Sequence, residues 1–164
     1  MDEITIREAG QQDLAIILHH RRAMFEAMGQ RDEAALRAME ASSRPFFAQA
    51  LAEGWYRGWI AENAAGEVVA GGGVLILPWP SHPRDSQTRR PMIVNVYTES
   101  EYRRRGLARR LMVAMLDWLR QEGYGTVSLH ASDDGRTLYE SLGFKATNEM
   151  RLQLKSSTQS SQRK

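Results

Sequence analysis

The sequence predicts a mixed α/β domain, and three observations predict it. Stretches of β-branched alternation and stretches of helical periodicity follow one another as strand, helices, three strands, helix, strand, helix, strand. Two of the strand runs, "YRGWIAEN" and "VVAGGGVLIL", are separated only by the turn "AAGE", as in an antiparallel hairpin. A helical stretch joins two others, "MIVNVYT" and "TVSLHA", and a helical crossover between neighbouring strands makes them parallel.

The elements follow in order. "EITIREA" alternates like a half-buried strand, and "GQQD" supplies the turn after it. In "LAIILHHRRAMFEAM" the residues Ile16, Ile17, His20, Met24 and Met28 recur at helical spacing, so a helix is expected from Gln12 to Met28, ending at Gly29. "DEAALRAMEASSRPFFAQALAEG" continues as one or two helices, interrupted at Pro45 and stopped by Gly54. In the hairpin, the run Gly71 to Gly73 suggests a bulge or a close backbone approach.

"PWPSHPRDSQTRRP" holds four of the five prolines, which suit neither a central strand nor a helix interior, so an exposed loop is expected there. After "MIVNVYT", the residues Leu107, Leu111, Met112, Met115, Trp118 and Leu119 recur at steps of three and four, an amphipathic helix over Leu107 to Glu122. "TVSLHA" reads as a strand, "DDGRTLYESLG" as a short helix stopped by Gly143, and "FKATNEMRLQL" as a closing strand. The tail 156–164 is polar with no reason to order, which leaves residues 1–155 as one domain; 164 residues at 42% hydrophobic content suffice for one core.

The absence of cysteine excludes disulfide frameworks, thiolate catalysis and cysteine-based zinc sites, and it is compatible with a reducing compartment, so a cytoplasmic location is the expectation. "MDEITIREAG" carries acids and no apolar core of signal-peptide length. No window reaches the roughly 18 apolar residues of a membrane span, so a soluble chain with no membrane partner is expected. His19, His20 and His82 lack carboxylate or histidine partners at ligand spacing, so no metal site is expected. Net charge is only +2, too small to imply a nucleic-acid partner. Locally the balance differs: eight arginines between Arg84 and Arg110 meet only Asp85, Glu99 and Glu101.

Within that segment, "VYTESEYRRRGLARRLMVAMLDWL" places five arginines around Gly106, between a strand and the amphipathic helix. A strand that enters a helix through a glycine loop aims several unpaired N–H groups at one point, where the helix dipole adds about half a positive charge. Such a mouth is a seat for phosphate. Gly106 can take backbone angles other residues avoid and lets a ligand approach closely, and Ala108 leaves the first turn unobstructed. Arg103, Arg104, Arg105, Arg109 and Arg110 either pair with further phosphates or form a solvated face. The spacing is neither the dinucleotide G-x-G-x-x-G nor the G-x-x-x-x-G-K-[ST] loop.

Strand, "RRRGLA" in the register [RQ]-x-x-G-x-[GA] and long helix together resemble the acetyl-CoA pyrophosphate motif of the GNAT N-acetyltransferase superfamily. "ITIREAGQQDLAII" is similar to that family's opening strand and helix, and "LYESLGF" to its closing L-Y-x-x-x-G-F signature, so the resemblance spans residues 3–154. It implies a mostly antiparallel sheet with a central parallel strand pair flanked by helices, acetyl-CoA as cosubstrate, and a small-molecule or peptide amine as acceptor. It further implies that the backbone from Arg104 to Arg109, through Arg105, Gly106, Leu107 and Ala108, cradles the CoA pyrophosphate. The surrounding arginines, Arg103 among them, are then candidates for the 3′-phosphate, and Tyr97 and Thr98 lie along the pantetheine arm. Many members of the family dimerise, so a homodimer is an expectation the resemblance carries.

Amine acetylation by a thioester needs a neutral nucleophile, a polarised carbonyl and a proton for the departing thiolate. The resemblance implies that Tyr139 donates that proton; the alternative is a tyrosine packed through its ring at the core edge. Glu99 is either the acceptor of the amine proton, directly or through water, or a loop carboxylate balancing the arginines. Ser132 stands where many relatives carry asparagine, and is either a helix N-cap or a cofactor contact. His130, at a strand end, is either a base or structural. Trp55, Tyr56, Trp59 and Trp79 are candidates for an acceptor pocket bordered by the loop 78–91, whereas Trp118 on the periodic helix face reads as core.

With no cysteine to form an acyl-enzyme, direct attack by the amine in a ternary complex is the expected route. A non-catalytic acyl-CoA-binding module is the alternative. A nucleic-acid contact by the basic segment is a third reading, opposed by the small net charge.

Overall fold

The β-branched runs form five strands in the computed structural model, which describes residues 3–155; the tail expected at 156–164 lies outside them. The strands are β1 (Thr5–Glu8), β2 (Tyr56–Glu62), β3 (Val68–Pro78), β4 (Arg89–Thr98) and β5 (Ser128–Leu129), in the spatial order 1-2-3-4-5. Neighbours from β1 to β4 pair antiparallel, and β4 with β5 parallel. The periodic stretches form α1 (Leu14–Ala27), α2 (Glu33–Glu53), α3 (Leu107–Gln121) and α4 (Arg136–Ser141). As expected, α3 is the crossover between the parallel strands. The chain divides into a larger unit that ends at Ser132 and a smaller one, with α4, that begins at Asp133. Among the described residues no helix is long and apolar enough to cross a membrane.

The three consecutive glycines of β3 show how the sheet is covered. A Cβ on Gly71 would lie 2.7 Å from His20 Nδ1 of α1, and one on Gly73 would lie within 2.5 Å of the Tyr56 phenol, whereas one on Gly72 would meet Met115 Cε of α3 at 3.1 Å. Successive strand residues face opposite sides, so α1 and α3 lie on opposite faces. Ile17, Leu18, Phe47, Ala50 and Tyr56 form the core under α1 and α2. On the other face α3 buries Leu107, Leu111, Met112, Met115 and Leu119, five of the six periodic residues the sequence marks; Trp118, expected as core, is half-buried at the edge of that face.

The structure departs from the sequence-based expectations at three elements. Pro45 does not interrupt α2, which runs unbroken from its cap at Asp32, whose side chain accepts from Ala35 N–H, to Gly54 at φ +77°. Leu36, Ser43, Phe47 and Ala50 are buried on both sides of the proline, and this shared face holds the two halves as one helix. The proline-rich segment is not wholly a loop: Pro78 ends β3, and Arg89 to Pro91 begin β4, with Pro91 opposite Ile76. Pro91 is tolerated because β5 pairs only with Met92 and Ile93, so the strand has a single neighbour at the proline. No strand forms over 144–154. Met150, Leu152 and Leu154 alternate there but stay exposed, and alternation makes a strand only where a partner takes its hydrogen bonds.

Candidate active site

The parallel pair β4 and β5 is short, joined only at Met92–Ser128 and Ile93–Leu129. From Val94 to Thr98, β4 is bonded to β3 on one side and, among the described residues, meets no strand on the other. A free strand edge presents N–H and C=O groups to any extended molecule laid along it. The register breaks in the same stretch. Gly71 opposes Tyr97 while Gly73 opposes Val94, so Asn95 and Val96 share one place opposite Gly72. The bulge expected at the glycines thus carries its extra residue on β4, with Asn95 at φ +59°.

Beyond Thr98 the chain passes through one 3-10 turn (Ser100–Tyr102), then Arg104 at φ +62° and Gly106 at φ +77°, and enters α3. The Arg110 N–H donates to the Gly106 carbonyl at 3.1 Å, closing the first helical turn. The N–H groups of Leu107 and Ala108 precede that bond and have no intrahelical acceptor. Its chain neighbours aside, no atom of the described residues lies within 4 Å of a Cβ built on Gly106, so the space before the helix mouth is open. Backbone donors, the positive helix end and clear space together fit a diphosphate.

The arginines around this mouth do not act alike. Arg103 turns back: its Nε donates to the Thr98 carbonyl at 3.1 Å, and its guanidinium lies 5.6 Å from the Tyr97 ring centre. Arg105 stacks on Tyr102 at 4.9 Å, and Arg110 Nη2 donates to the Ile4 carbonyl at 2.7 Å. Arg109 is exposed on the first turn of α3. Arg104 is exposed, and among the described residues its side chain has no partner.

At the end of β4, α1 brings two histidines against Glu99. His19 Nε2 lies 2.7 Å from Glu99 Oε1, and His20 Nε2 lies 3.9 Å from the same oxygen. The Tyr97 hydroxyl donates to Glu99 Oε2 at 3.4 Å, and its ring sits 5.5 Å from that of His20. His20 is 2% exposed, and among the described residues its Nε2 has no hydrogen-bond partner. Burial, reinforced by His19 and opposed by Glu99, lowers its pKa to about 4, so it is neutral at neutral pH. Burial, and then the charge of Glu99, raise the Tyr97 phenol.

Tyr139 lies in α4 of the smaller unit, its ring edge-on to Phe144 at 6.1 Å. Burial raises its pKa, so at neutral pH it keeps a proton to give. Ser132 is not the cap of that helix: α4 opens after Gly135 with no side-chain cap, three residues later than the N-cap reading requires. His130 is exposed just past β5. Of the aromatic candidates, Tyr56 and Trp59 are core, and Trp118 packs on Trp59 at 5.7 Å. Trp79 is exposed beneath the Arg90 guanidinium. Trp55 lines an apolar recess of about 360 Å³ with Phe46, Ile76, Leu77, Pro78 and Arg89, at the end of β4 opposite Glu99.

The structure therefore gathers Tyr97, Thr98, Glu99 and Arg103, and adds His19, His20, Arg21 and Asn95, which sequence reasoning had not placed at a site. Two signals pointed that way: His20 falls on the apolar periodicity of α1, and Asn95 is the one polar residue within "MIVNV".

Comparison with known proteins bears on this arrangement. The family model for the acetyltransferase (GNAT) family matches residues 17–144. N-acetyltransferase 8 of Homo sapiens is 31% identical over 94 residues, 56% of this chain and 39% of that protein, so the match spans well under half of the relative. A GCN5-related N-acetyltransferase from Ralstonia eutropha JMP134 is similar in structure at a TM-score of 0.87 and 33% identity, over 93% of this chain and 99% of that one. A predicted acetyltransferase from Clostridium acetobutylicum, crystallised with acetyl-CoA, superposes at a TM-score of 0.85 over 93% of this chain and 97% of its own; at 23% identity it shares the fold alone.

Proposed function

Because the chain belongs to the GNAT acetyltransferase family, we propose that it transfers the acetyl group of acetyl-CoA to a primary amine, by direct attack in a complex that holds both substrates. The observation that carries this reading is the end of β4, where a free strand edge leads to a carboxylate, Glu99, and then through one turn to a glycine-led helix mouth.

Acetyl-CoA supplies the activated thioester. The N–H groups of Leu107 and Ala108 hold its diphosphate at the open approach beside Gly106, and Arg104, without a side-chain partner, is the arginine suited to a further phosphate. The free edge of β4 near Tyr97 and Thr98 suits the pantetheine amides. As the amine nitrogen bonds to the acetyl carbon and the C–S bond breaks, Glu99 accepts the proton that nitrogen loses and the departing sulfur takes one up, a role the family resemblance implies for the Tyr139 hydroxyl. One proton passes in net from nitrogen to sulfur. His19, hydrogen-bonded to Glu99 and 53% exposed, is the outlet by which Glu99 returns its proton to solvent.

The test mixes the protein with acetyl-CoA and a panel of primary amines while free thiol is followed. Thiol release that requires the amine supports the reading. CoA that binds but is never released from acetyl-CoA by any amine overturns it in favour of a non-catalytic binding module.

A further inference from the structure

Arg21 is a half-buried cation without an anion. It projects from α1 between Phe25 and Phe47, whose ring centres lie 5.2 and 5.7 Å from its guanidinium carbon. Its Nη1 donates to Asn95 Oδ1 at 2.9 Å, and its Nε is buried with no hydrogen-bond partner among the described residues. Among the described residues no carboxylate pairs with it. The next residue shows the contrast: Arg22 holds Glu26, Glu33 and Glu40 at 2.7–2.9 Å. The titratable group that does face Arg21 is the buried Tyr56 phenol, which is neutral at neutral pH and supplies no counter-charge.

A charge removed from water without a counter-charge is costly, and aromatic faces return only part of that cost. A second donor stands at the same place: Asn95 is 4% exposed, and among the described residues its Nδ2 makes no well-formed hydrogen bond, although the Tyr56 phenol lies close to it. Donors with no acceptor fit an anion, and the planar guanidinium fork fits a carboxylate. The location matters as much as the chemistry. Arg21 reaches the bulged residue of β4, while His19 and His20, its neighbours on the same helix, reach Glu99 at the end of the same strand.

We infer that Arg21, with Asn95 beside it, is the seat for a carboxylate carried by the acceptor, so that the acceptors are amines of the amino-acid class. This rests on the acetyl-transfer reading above. The competing account is that Arg21 only braces Asn95 in its left-handed conformation.

The experiment uses matched acceptors that differ only in carboxylate against carboxamide, an amino acid and its amide. With the wild-type protein the acid should exceed the amide in kcat/KM by roughly tenfold to a hundredfold, chiefly through KM, as expected when a buried charged donor loses its partner. Arg21→Gln should erase that preference by slowing the acid at least about tenfold more than the amide. Calorimetry of the two compounds on CoA-loaded protein reads the same preference without turnover.

Equal kcat/KM and equal affinity for acid and amide in the wild-type protein overturn the inference while leaving acetyl transfer intact. An equal loss on both acceptors in Arg21→Gln, with a lowered melting temperature, overturns it in favour of the brace. Preferential binding of the acid without thiol release from any amine upholds the seat and sinks the catalytic reading instead. If Arg21→Gln does not fold, the wild-type comparison still decides.

Discussion

His19 Nε2 lies 2.7 Å from Glu99 Oε1, a contact between the first helix and the turn after the fourth strand that closes 80 residues of sequence. If Glu99 accepts the amine proton, Glu99→Gln keeps the shape and removes the base. Turnover should fall by roughly a hundredfold or more, the usual worth of a positioned base, with CoA affinity unchanged. His19→Gln should cost less, about tenfold in kcat with little change in KM, because the half-buried Glu99 carboxylate can also release its proton to water. Steady-state kinetics beside a CoA titration checks both, and unaltered turnover in Glu99→Gln removes it from the mechanism.

Tyr139→Phe keeps the ring that meets Phe144 and deletes only the hydroxyl. Turnover should drop about ten- to a hundredfold at an unchanged melting temperature. Full activity in this variant would leave Tyr139 as a packing residue.

His20 makes stability depend on pH in a defined window. Its folded pKa, about 4, lies below the ordinary histidine value of 6.5, so between those values the unfolded chain binds a proton that the folded one does not. Stability from this residue is complete above pH 6.5 and is lost as pH falls toward 4, by about 3 kcal/mol in all. Asp13, its carboxyl held down by Arg7, adds a further loss below the ordinary aspartate range. Denaturant unfolding at pH 7 and pH 4.5 measures the His20 share, and His20→Asn should flatten most of that difference. The same slope in the variant would show that other groups carry it.

Two glycines separate steric from conformational need. A Cβ at Gly73 would overlap the buried Tyr56 ring, so Gly73→Ala should cost about 2 kcal/mol or more. Gly66, at φ +79° with open space around it, should lose only about 1 kcal/mol on the same change. Equal losses in thermal melts would contradict the packing of Tyr56 under β3.

The elements legible in the sequence are those whose signals are local. The periodicity of α3 marks the residues it buries, the turn between β2 and β3 marks their hairpin, and Gly54 marks the end of α2. The glycine-led helix mouth is local too, which is why Gly106 could be singled out. What the sequence did not reveal depends on partners far along the chain. Nothing beside His19 says that its acceptor is Glu99, and nothing beside Arg21 says that it reaches Asn95 rather than an acid. Pro45 misled for the same reason: local propensity breaks a helix there, while burial on both sides keeps it whole. Met150, Leu152 and Leu154 misled in the opposite sense, a strand pattern with no strand to pair it.

The most direct measurement is an isothermal titration of CoA into the wild-type protein and into Gly106→Val. Gly106 sits at φ +77° with clear space before it, so a branched side chain would disfavour the turn and fill the approach to the helix mouth. The wild-type protein should bind CoA at one saturable site, and the variant should bind at least about tenfold more weakly. Absence of saturable heat from the wild-type protein, or equal affinity in the two, would contradict the account.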